Sequence, residues 1–135
     1  MRRLLPLLIL LAGCSAKPDD AGPPGGSFSG GGRDRLCIAH REGGVRAGII
    51  TYGAGDSNCS VAGTLARAGA GWQLTPQGER ACRIGLSVAG DAVGVTSVPG
   101  ACSYYCAPGA TLAGKRFKRD ATAAIVSDFG GEAIC

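Results

Sequence analysis

The stretch that decides the fold is Cys82-Arg83-Ile84-Gly85-Leu86-Ser87-Val88-Ala89-Gly90-Asp91-Ala92-Val93-Gly94-Val95-Thr96-Ser97-Val98. Cys82, Ile84, Leu86 and Val88 alternate with Arg83, Gly85 and Ser87. That is the period of two expected of a half-buried strand, whose successive side chains point to opposite faces. Gly90-Asp91 follows, with glycine at the first turn position, where a type II′ hairpin needs a positive φ. A two-residue turn there pairs Ala89 with Ala92, Val88 with Val93 and Leu86 with Val95. The large apolar side chains then share one face. A slip of one residue would turn that whole set to solvent, so turn and pattern agree on one register.

Outward from this hairpin, further strand signals recur at short intervals. Residues 36–40 and 45–52 flank Glu42-Gly43-Gly44, another turn signal. Residues 58–65 alternate Cys59, Val61, Gly63 and Leu65 with smaller neighbours. Trp72-Gln73-Leu74 forms a short strand before the turn Pro76-Gln77-Gly78, and residues 115–119 form another. Asp120 is placed to cap a short helix over 121–126, ended near Gly130-Gly131. The fold class is therefore mainly β: a small antiparallel sandwich or barrel with one short C-terminal helix.

Composition sets how such a fold holds together. The chain has 135 residues, 45% hydrophobic and 18% charged, which argues against global disorder. It has only three Tyr, three Phe and one Trp against 24 Gly, so its core is thin and covalent help is expected. Of seven cysteines, Cys14 stands apart in the N-terminal region. The other six are Cys37, Cys59, Cys82, Cys102, Cys106 and Cys135. An even number in a small exported domain reads as three disulfides. With no CxxC pair and a single histidine, a metal site is the poorer reading, and neither metal nor cofactor is expected. Fifteen connectivities are open. Cys59 with Cys82 is the pairing that alternation suggests, since both point to the apolar face of their strands. A bond at Cys135 would pin the C-terminal end to the domain.

The N-terminal region speaks to location. Met1-Arg2-Arg3 is followed by the apolar run Leu4-Leu5-Pro6-Leu7-Leu8-Ile9-Leu10-Leu11 and then Ala12-Gly13-Cys14. A cationic start, a short apolar run and small residues before a cleavage point describe an export signal. The run is about half of the ~20 residues needed to span a bilayer. Leu11-Ala12-Gly13-Cys14 resembles the lipobox of bacterial lipoproteins in all four residues. The resemblance covers residues 1–14 and implies cleavage before Cys14, a diacylglycerol on its sulfur and acylation of its amino group. Several acyl chains at ~0.8 kcal/mol per buried methylene would hold the chain to a membrane. Ser15, rather than Asp, implies outer-membrane sorting, with the domain facing the periplasm or the cell surface. Residues 1–13 are thus a signal peptide. Residues 14–33 are a lipidated cysteine and a tether: after Cys14, six of 19 residues are Gly and three Pro, with Phe28 the only large apolar side chain. Residues 34–135 are the disulfide-rich β domain.

Three features are candidates for function. Lys115, Arg116, Lys118 and Arg119 surround Phe117 and offer four cations to an acidic envelope polymer or lipid headgroup. On a strand, however, Lys115, Phe117 and Arg119 share one face while Arg116 and Lys118 share the other, which makes Phe117 a core anchor and favours a solvated edge. Tyr104 and Tyr105 lie in the loop Cys102-Ser103-Tyr104-Tyr105-Cys106, where rigid aromatics suit a binding surface or pack against the cystines. His40 is the one candidate base. With Glu42 or Asp56, and Ser57 or Ser103, it has no motif at fixed spacing, and no catalytic residue is assigned.

The reading that follows is a non-catalytic envelope lipoprotein with a binding or structural role. Its partners are the membrane, through Cys14, and an envelope polymer or another protein. Nucleic acid is a poor partner in that compartment. The alternative is an inhibitor of a host hydrolase, a c-type lysozyme or a protease. In outline the chain resembles the small exported, often lipidated, lysozyme-inhibitor lipoproteins, which are β-barrels with a cystine. Their Ser-Gly-x-x-Tyr loop is missing from the domain: Ser29-Gly30 lies in the tether and Arg33 stands at the Tyr position. Residues 34–135 carry ten Lys/Arg against eight Asp/Glu, so steering toward a cationic lysozyme would be mildly repulsive.

Overall fold

The structure is a computed structural model that describes Gly13 and residues 22–135. Apart from Gly13, the expected signal peptide, the lipobox with Cys14 and the start of the tether lie outside the described residues.

Eight antiparallel strands follow one another around a closed barrel: β1 Gly26–Ser29, β2 Arg35–Arg41, β3 Gly44–Tyr52, β4 Asn58–Ala68, β5 Gly71–Pro76, β6 Ile84–Ala89, β7 Ala92–Ser97 and β8 Arg116–Arg119. Each strand pairs with its sequence neighbours, and β1 closes the circle on β8 through Phe28↔Arg119 and Ser29↔Lys118. The hairpin at Gly90-Asp91 has the expected register, Ala89↔Ala92, Val88↔Val93 and Leu86↔Val95. Gly90 takes φ 60° and Asp91 keeps a negative φ, as a type II′ turn requires. Of the two architectures that the turn spacing allows, the chain takes the barrel, which leaves no strand edge unpaired.

An eight-stranded barrel is just wide enough for side chains to fill. Here the inward positions of successive strands supply Phe28, Leu36, Ile49, Val61, Leu74, Ile84, Leu86, Val93 and Phe117, all buried in one cluster. At one end, the entry end, the chain comes in at residue 22 and the turns β2–β3, β4–β5 and β6–β7 lie together. The other end, the far end, gathers the remaining turns and the long segment 98–115, which folds across the opening. Within that segment a 3-10 helix, Gly100–Tyr105, buries Cys102, and Leu112 is buried against the barrel core. Thr51, fully buried, donates its hydroxyl to the Thr111 carbonyl at 2.8 Å. A β-carbon on Gly53 would collide with the Gly109 carbonyl, so glycine is needed there for the segment to approach β3.

Three expectations are corrected. The composition argument places residues 26–29 in the tether, yet they form β1, with Phe28 at 0% exposure and Ser27 nearly so. Gly/Pro content does not forbid a strand when both neighbours supply a ladder and one aromatic fills the core. The close packing at this seam needs a small residue: a β-carbon on Gly30 would meet the Arg116 carbonyl at 3.0 Å and the Phe117 ring at 3.2 Å.

The expected helix over 121–126 is absent, and the only helical segment among the described residues is the 3-10 helix. Asp120 is not a helix cap. Its carboxylate accepts hydrogen bonds from the hydroxyls of Ser27 and Ser29 on the outer face of β1. The Ala124 N–H then donates to Ser27 Oγ at 2.9 Å. With its cap group and an amide committed to β1, the segment runs extended across the sheet. It ends in a small hairpin with Ser127 opposite Ala133 and the Ile134 N–H on the Val126 carbonyl at 3.0 Å.

The pairing Cys59–Cys82 is also overturned. The three disulfides are Cys37–Cys135, Cys59–Cys106 and Cys82–Cys102. Cys59 and Cys82 do both point inward, but β5 lies between β4 and β6 in the sheet. Each instead meets a cysteine of the segment that closes the far end. Cys37 points outward and ties down the C-terminal hairpin. That hairpin forms a second small core outside the barrel, with Cys37, Ile50, Val126 and Ile134 buried together. Gly48 permits it: a β-carbon there would meet Ile134 Cγ1 at 2.8 Å and its carbonyl at 2.9 Å.

Candidate binding surface

The two tyrosines lie at the far end on the segment that the disulfides hold. Cys102 is joined to Cys82 at the start of β6 and Cys106 to Cys59 on β4. Cys106 also bridges Cys59 through its backbone, and the Ala107 N–H donates to the Asn58 carbonyl at 2.9 Å. The intervening residues are thus fixed at both ends. Tyr105 turns toward the barrel and packs against its core. Burial, then the Glu79 carboxylate and the Tyr104 ring, push its hydroxyl pKa above the usual tyrosine value. Tyr104 points the other way and is 86% exposed, with its ring edge-to-face on Tyr105 at 5.2 Å between centroids. The sequence offered binding and packing as alternatives for the pair. The structure separates the two side chains: Tyr105 packs against the core and Tyr104 faces solvent.

The basic cluster is not one surface. Lys115 Nζ contacts Asp34 Oδ2 at 2.9 Å, and Asp34 is buried. The other Asp34 oxygen accepts the Tyr52 N–H at 2.8 Å, so one carboxylate fastens the β1–β2 turn to β3 and to the start of β8. Arg119 lies at the opposite end of its strand, with its guanidinium 5.3 Å from the Phe28 ring centroid and donating to the Gly25 carbonyl at 2.7 Å. Its Nε is also 3.5 Å from Asp91. Only Arg116 and Lys118 face solvent on the outer wall. Alternation around a buried Phe117 separates the four cations into two that brace the fold and two that are exposed.

His40 sits at the entry end, its Nε2 2.6 Å from the Pro23 carbonyl oxygen, with Gly22 and Gly25 alongside the ring. Two of the groups considered as its partners are engaged elsewhere. Asp56 pairs with Arg33 at 3.1 Å, and Ser57 donates to the Pro108 carbonyl. Arg33 also stacks over Tyr52 at 3.9 Å, so its guanidinium is a structural clamp on the β3–β4 turn. Ser29-Gly30, taken as tether in the sequence, is the end of β1 and the start of the β1–β2 turn. No group of three or more His, Cys, Asp or Glu side chains among the described residues is arranged to hold a metal ion.

Sequence reasoning missed Asp34 altogether. Its signal was positional: an acid two residues after Gly30-Gly31-Gly32, in a chain whose lone dense cation run lies far away. Compared with protein-family models, curated proteins and solved structures, the chain matches none.

Proposed function

We propose that this chain is a lipid-anchored protein of the bacterial cell envelope that acts by binding rather than by catalysis. In this reading Cys14 carries the lipid in the outer membrane, and the barrel presents the Tyr104 loop to an envelope polymer or protein. The observation that carries it is Tyr104 itself: an exposed aromatic on a loop that two disulfides hold at the end of the barrel opposite the chain's entry. An aromatic held this way loses little conformational freedom on contact, which is why such side chains dominate binding interfaces. Between Cys14 and Gly22 there are eight peptide steps. At most ~3.6 Å each, they allow a reach of roughly 29 Å. A lipid on Cys14 would therefore keep the entry end near the membrane and the Tyr104 end away from it.

Two measurements test this. Replacing Cys14 with Ala should move the protein from the membrane to the soluble fraction of envelopes; retention in the membrane would remove the anchor. A photo-crosslinking residue at position 104 should give a discrete crosslinked species in envelopes that is absent when the same residue stands at exposed Thr64. Identical patterns from both positions would remove the loop as the binding element. The same loop also suits an inhibitor of a host hydrolase, because rigid projecting loops fit enzyme clefts. Lysozyme and serine-protease activities unaffected by excess protein would eliminate that second reading.

A further inference from the structure

The three disulfides differ in what surrounds them. Cys59–Cys106 and Cys82–Cys102 belong to the barrel core: Cys59, Cys82 and Cys102 are fully buried, and Cys106 packs against the same cluster. Cys106 is also kept beside Cys59 by its backbone, since the two residues form a β-bridge and the Ala107 N–H donates to the Asn58 carbonyl. Cys37–Cys135 lies outside the barrel, on the outer face of β2. There Cys135 is half-buried, and Cys37 packs with Val126 and Ile134 of the C-terminal hairpin.

Little else holds that hairpin to the barrel. No residue of 121–135 joins the strand ladder, and its one bridge, Ser127 opposite Ala133, is internal. The Asp128 and Ile134 N–H groups also bond within it, to the Glu132 and Val126 carbonyls. Among the described residues, two hydrogen bonds cross from this segment to the barrel. The Ala124 N–H donates to Ser27 Oγ, and the Arg41 guanidinium donates to the Cys135 carbonyl, each at 2.9 Å. Val126 and Ile134 supply the buried apolar contact, against Cys37 and Ile50. Fixing the backbone of one residue costs about as much as one hydrogen bond contributes net. Two such bonds and two aliphatic side chains therefore fall short of ordering the whole segment, and the Cys37–Cys135 bond makes up the difference.

Reduction acts on these bonds unequally. Exchange needs access to a sulfur, which the buried Cys82–Cys102 pair denies. A cystine whose residues stay side by side recloses after attack, as the bridged Cys59 and Cys106 would. Cys135, by contrast, can leave Cys37 with its hairpin. We propose that Cys37–Cys135 is a redox-sensitive latch: a dithiol reductant opens it first, and the hairpin over 121–135 then lifts off an intact barrel. One thiolate of the dithiol attacks Sγ of Cys135, the more exposed residue of the pair, and expels Cys37 as a thiolate that takes up a proton. The second sulfur of the dithiol attacks the resulting mixed disulfide and expels the Cys135 thiolate, which is protonated in turn. The reductant leaves as its own disulfide, having supplied two electrons and two protons. Lifting the hairpin uncovers Ile50 and a free Cys37 thiol on the outer face of β2 and β3. The eight-strand ladder and the other two disulfides stay, because the hairpin contributes to neither. This latch is independent of the envelope reading and of the Tyr104 loop.

The full chain, purified with its disulfides formed, is equilibrated with graded dithiothreitol, trapped by alkylation and read by peptide mass spectrometry, with hydrogen exchange followed in parallel. Cys37 and Cys135 should be labelled together, at about tenfold less dithiothreitol than Cys59, Cys82, Cys102 or Cys106 requires. At that stage the amides of 121–135, Ala124 and Ile134 among them, should exchange faster, since a freed two-stranded hairpin is marginal at best. Those of β6 and β7 should keep their protection. The double variant Cys37→Ser/Cys135→Ser should show the same loosened hairpin without reductant. Should that variant fold poorly, the titration of the parent chain still decides. Opening of either core disulfide before Cys37–Cys135, or together with it, overturns the proposal. So does a hairpin that stays protected once Cys37 and Cys135 are labelled.

Discussion

Phe28 decides where the folded domain begins, and replacing it with Ala tests that boundary quantitatively. Its ring is fully buried among the inward side chains of the barrel. Its backbone lies in the strand that joins β2 to β8. Truncation removes the apolar transfer energy of the ring and leaves a cavity that the disulfide-tied neighbours cannot fully collapse. Together these place the loss at about 3–5 kcal/mol. The Arg119 guanidinium over the ring contributes up to about 1 kcal/mol of that, as its site is part-exposed. Phe28→Leu should lose about half as much, since most of the volume stays. The assay is equilibrium urea denaturation with the disulfides intact, read by Trp72 fluorescence, with the slope checked to be constant so that midpoints convert to free energies. A loss below about 1 kcal/mol for Phe28→Ala would refute the placement of β1 in the barrel, because an exposed tether residue has nothing to lose.

Three further outcomes are expected. Gly48→Ala should destabilise by about 1–3 kcal/mol through overpacking on Ile134, and in the double variant with Ile134→Ala only the part due to the side chain should vanish, because the Ile134 carbonyl stays in place; strict additivity in the double-mutant cycle would show that the two side chains do not touch. Asp34→Asn should lose about 1.5–3 kcal/mol as the Lys115 pair goes, and Asp34→Ala more, because the Tyr52 N–H then also lacks its acceptor. Equal losses would argue against that second bond. Hydrogen bonds from Ser29 and then Ser27 hold the Asp120 carboxyl below the usual carboxylate range. A lowered folded pKa means that the stabilisation is complete above the unfolded value of about 3.9 and is lost as pH falls through the folded value. Denaturation midpoints of the Ser27→Ala/Ser29→Ala variant should therefore differ from the parent chain near neutral pH and converge with it in strong acid. A constant difference across that range would mean that the carboxylate is not the acceptor.

The parts of this fold that the sequence made legible are those where one local rule acts alone. Alternation in β6 and β7 together with a glycine at one turn position was enough to set a hairpin register, because any slip would expose Leu86 and Val95. Phe117 was readable as a core anchor for the same reason. What was not legible depended on partners distant in sequence. Phe28 sits in a glycine- and proline-rich stretch and becomes a strand residue only because β2 and β8 come to lie on either side of it. Asp120 has the local character of a helix cap, but two serines about ninety residues earlier outcompete the backbone amides that a helix would have offered. Disulfide connectivity was hidden for a topological reason: two cysteines on the same apolar face are not neighbours when a third strand separates them. The bulge at Thr96, where Gly85 pairs with Ser97 but Leu86 with Val95, did leave a trace. The apolar alternation Val93, Val95 skips to Val98, and Val98 still packs against the core.

These distant contacts also explain why a chain with so few aromatics can hold a closed barrel. Cys37–Cys135, Cys59–Cys106 and Cys82–Cys102 join residues separated by 98, 47 and 20 positions. In the chain-entropy model such loops stabilise by roughly 3–5 kcal/mol each, the longest most. None of the three lies within a single hairpin. Two fasten the segment that closes the far end, and the third fastens the C-terminal hairpin over the outer face of β2 and β3. Covalent constraint is therefore concentrated on pieces that the strand ladder does not itself hold. This leaves the β5–β7 wall, which carries no disulfide in its strands, free of covering segments. One wall of the barrel is buried under its own C-terminal hairpin and one end is sealed around Tyr105. The exposed features that remain include the rigid Tyr104 at that end and the large apolar side chains of Ile125 and Phe129.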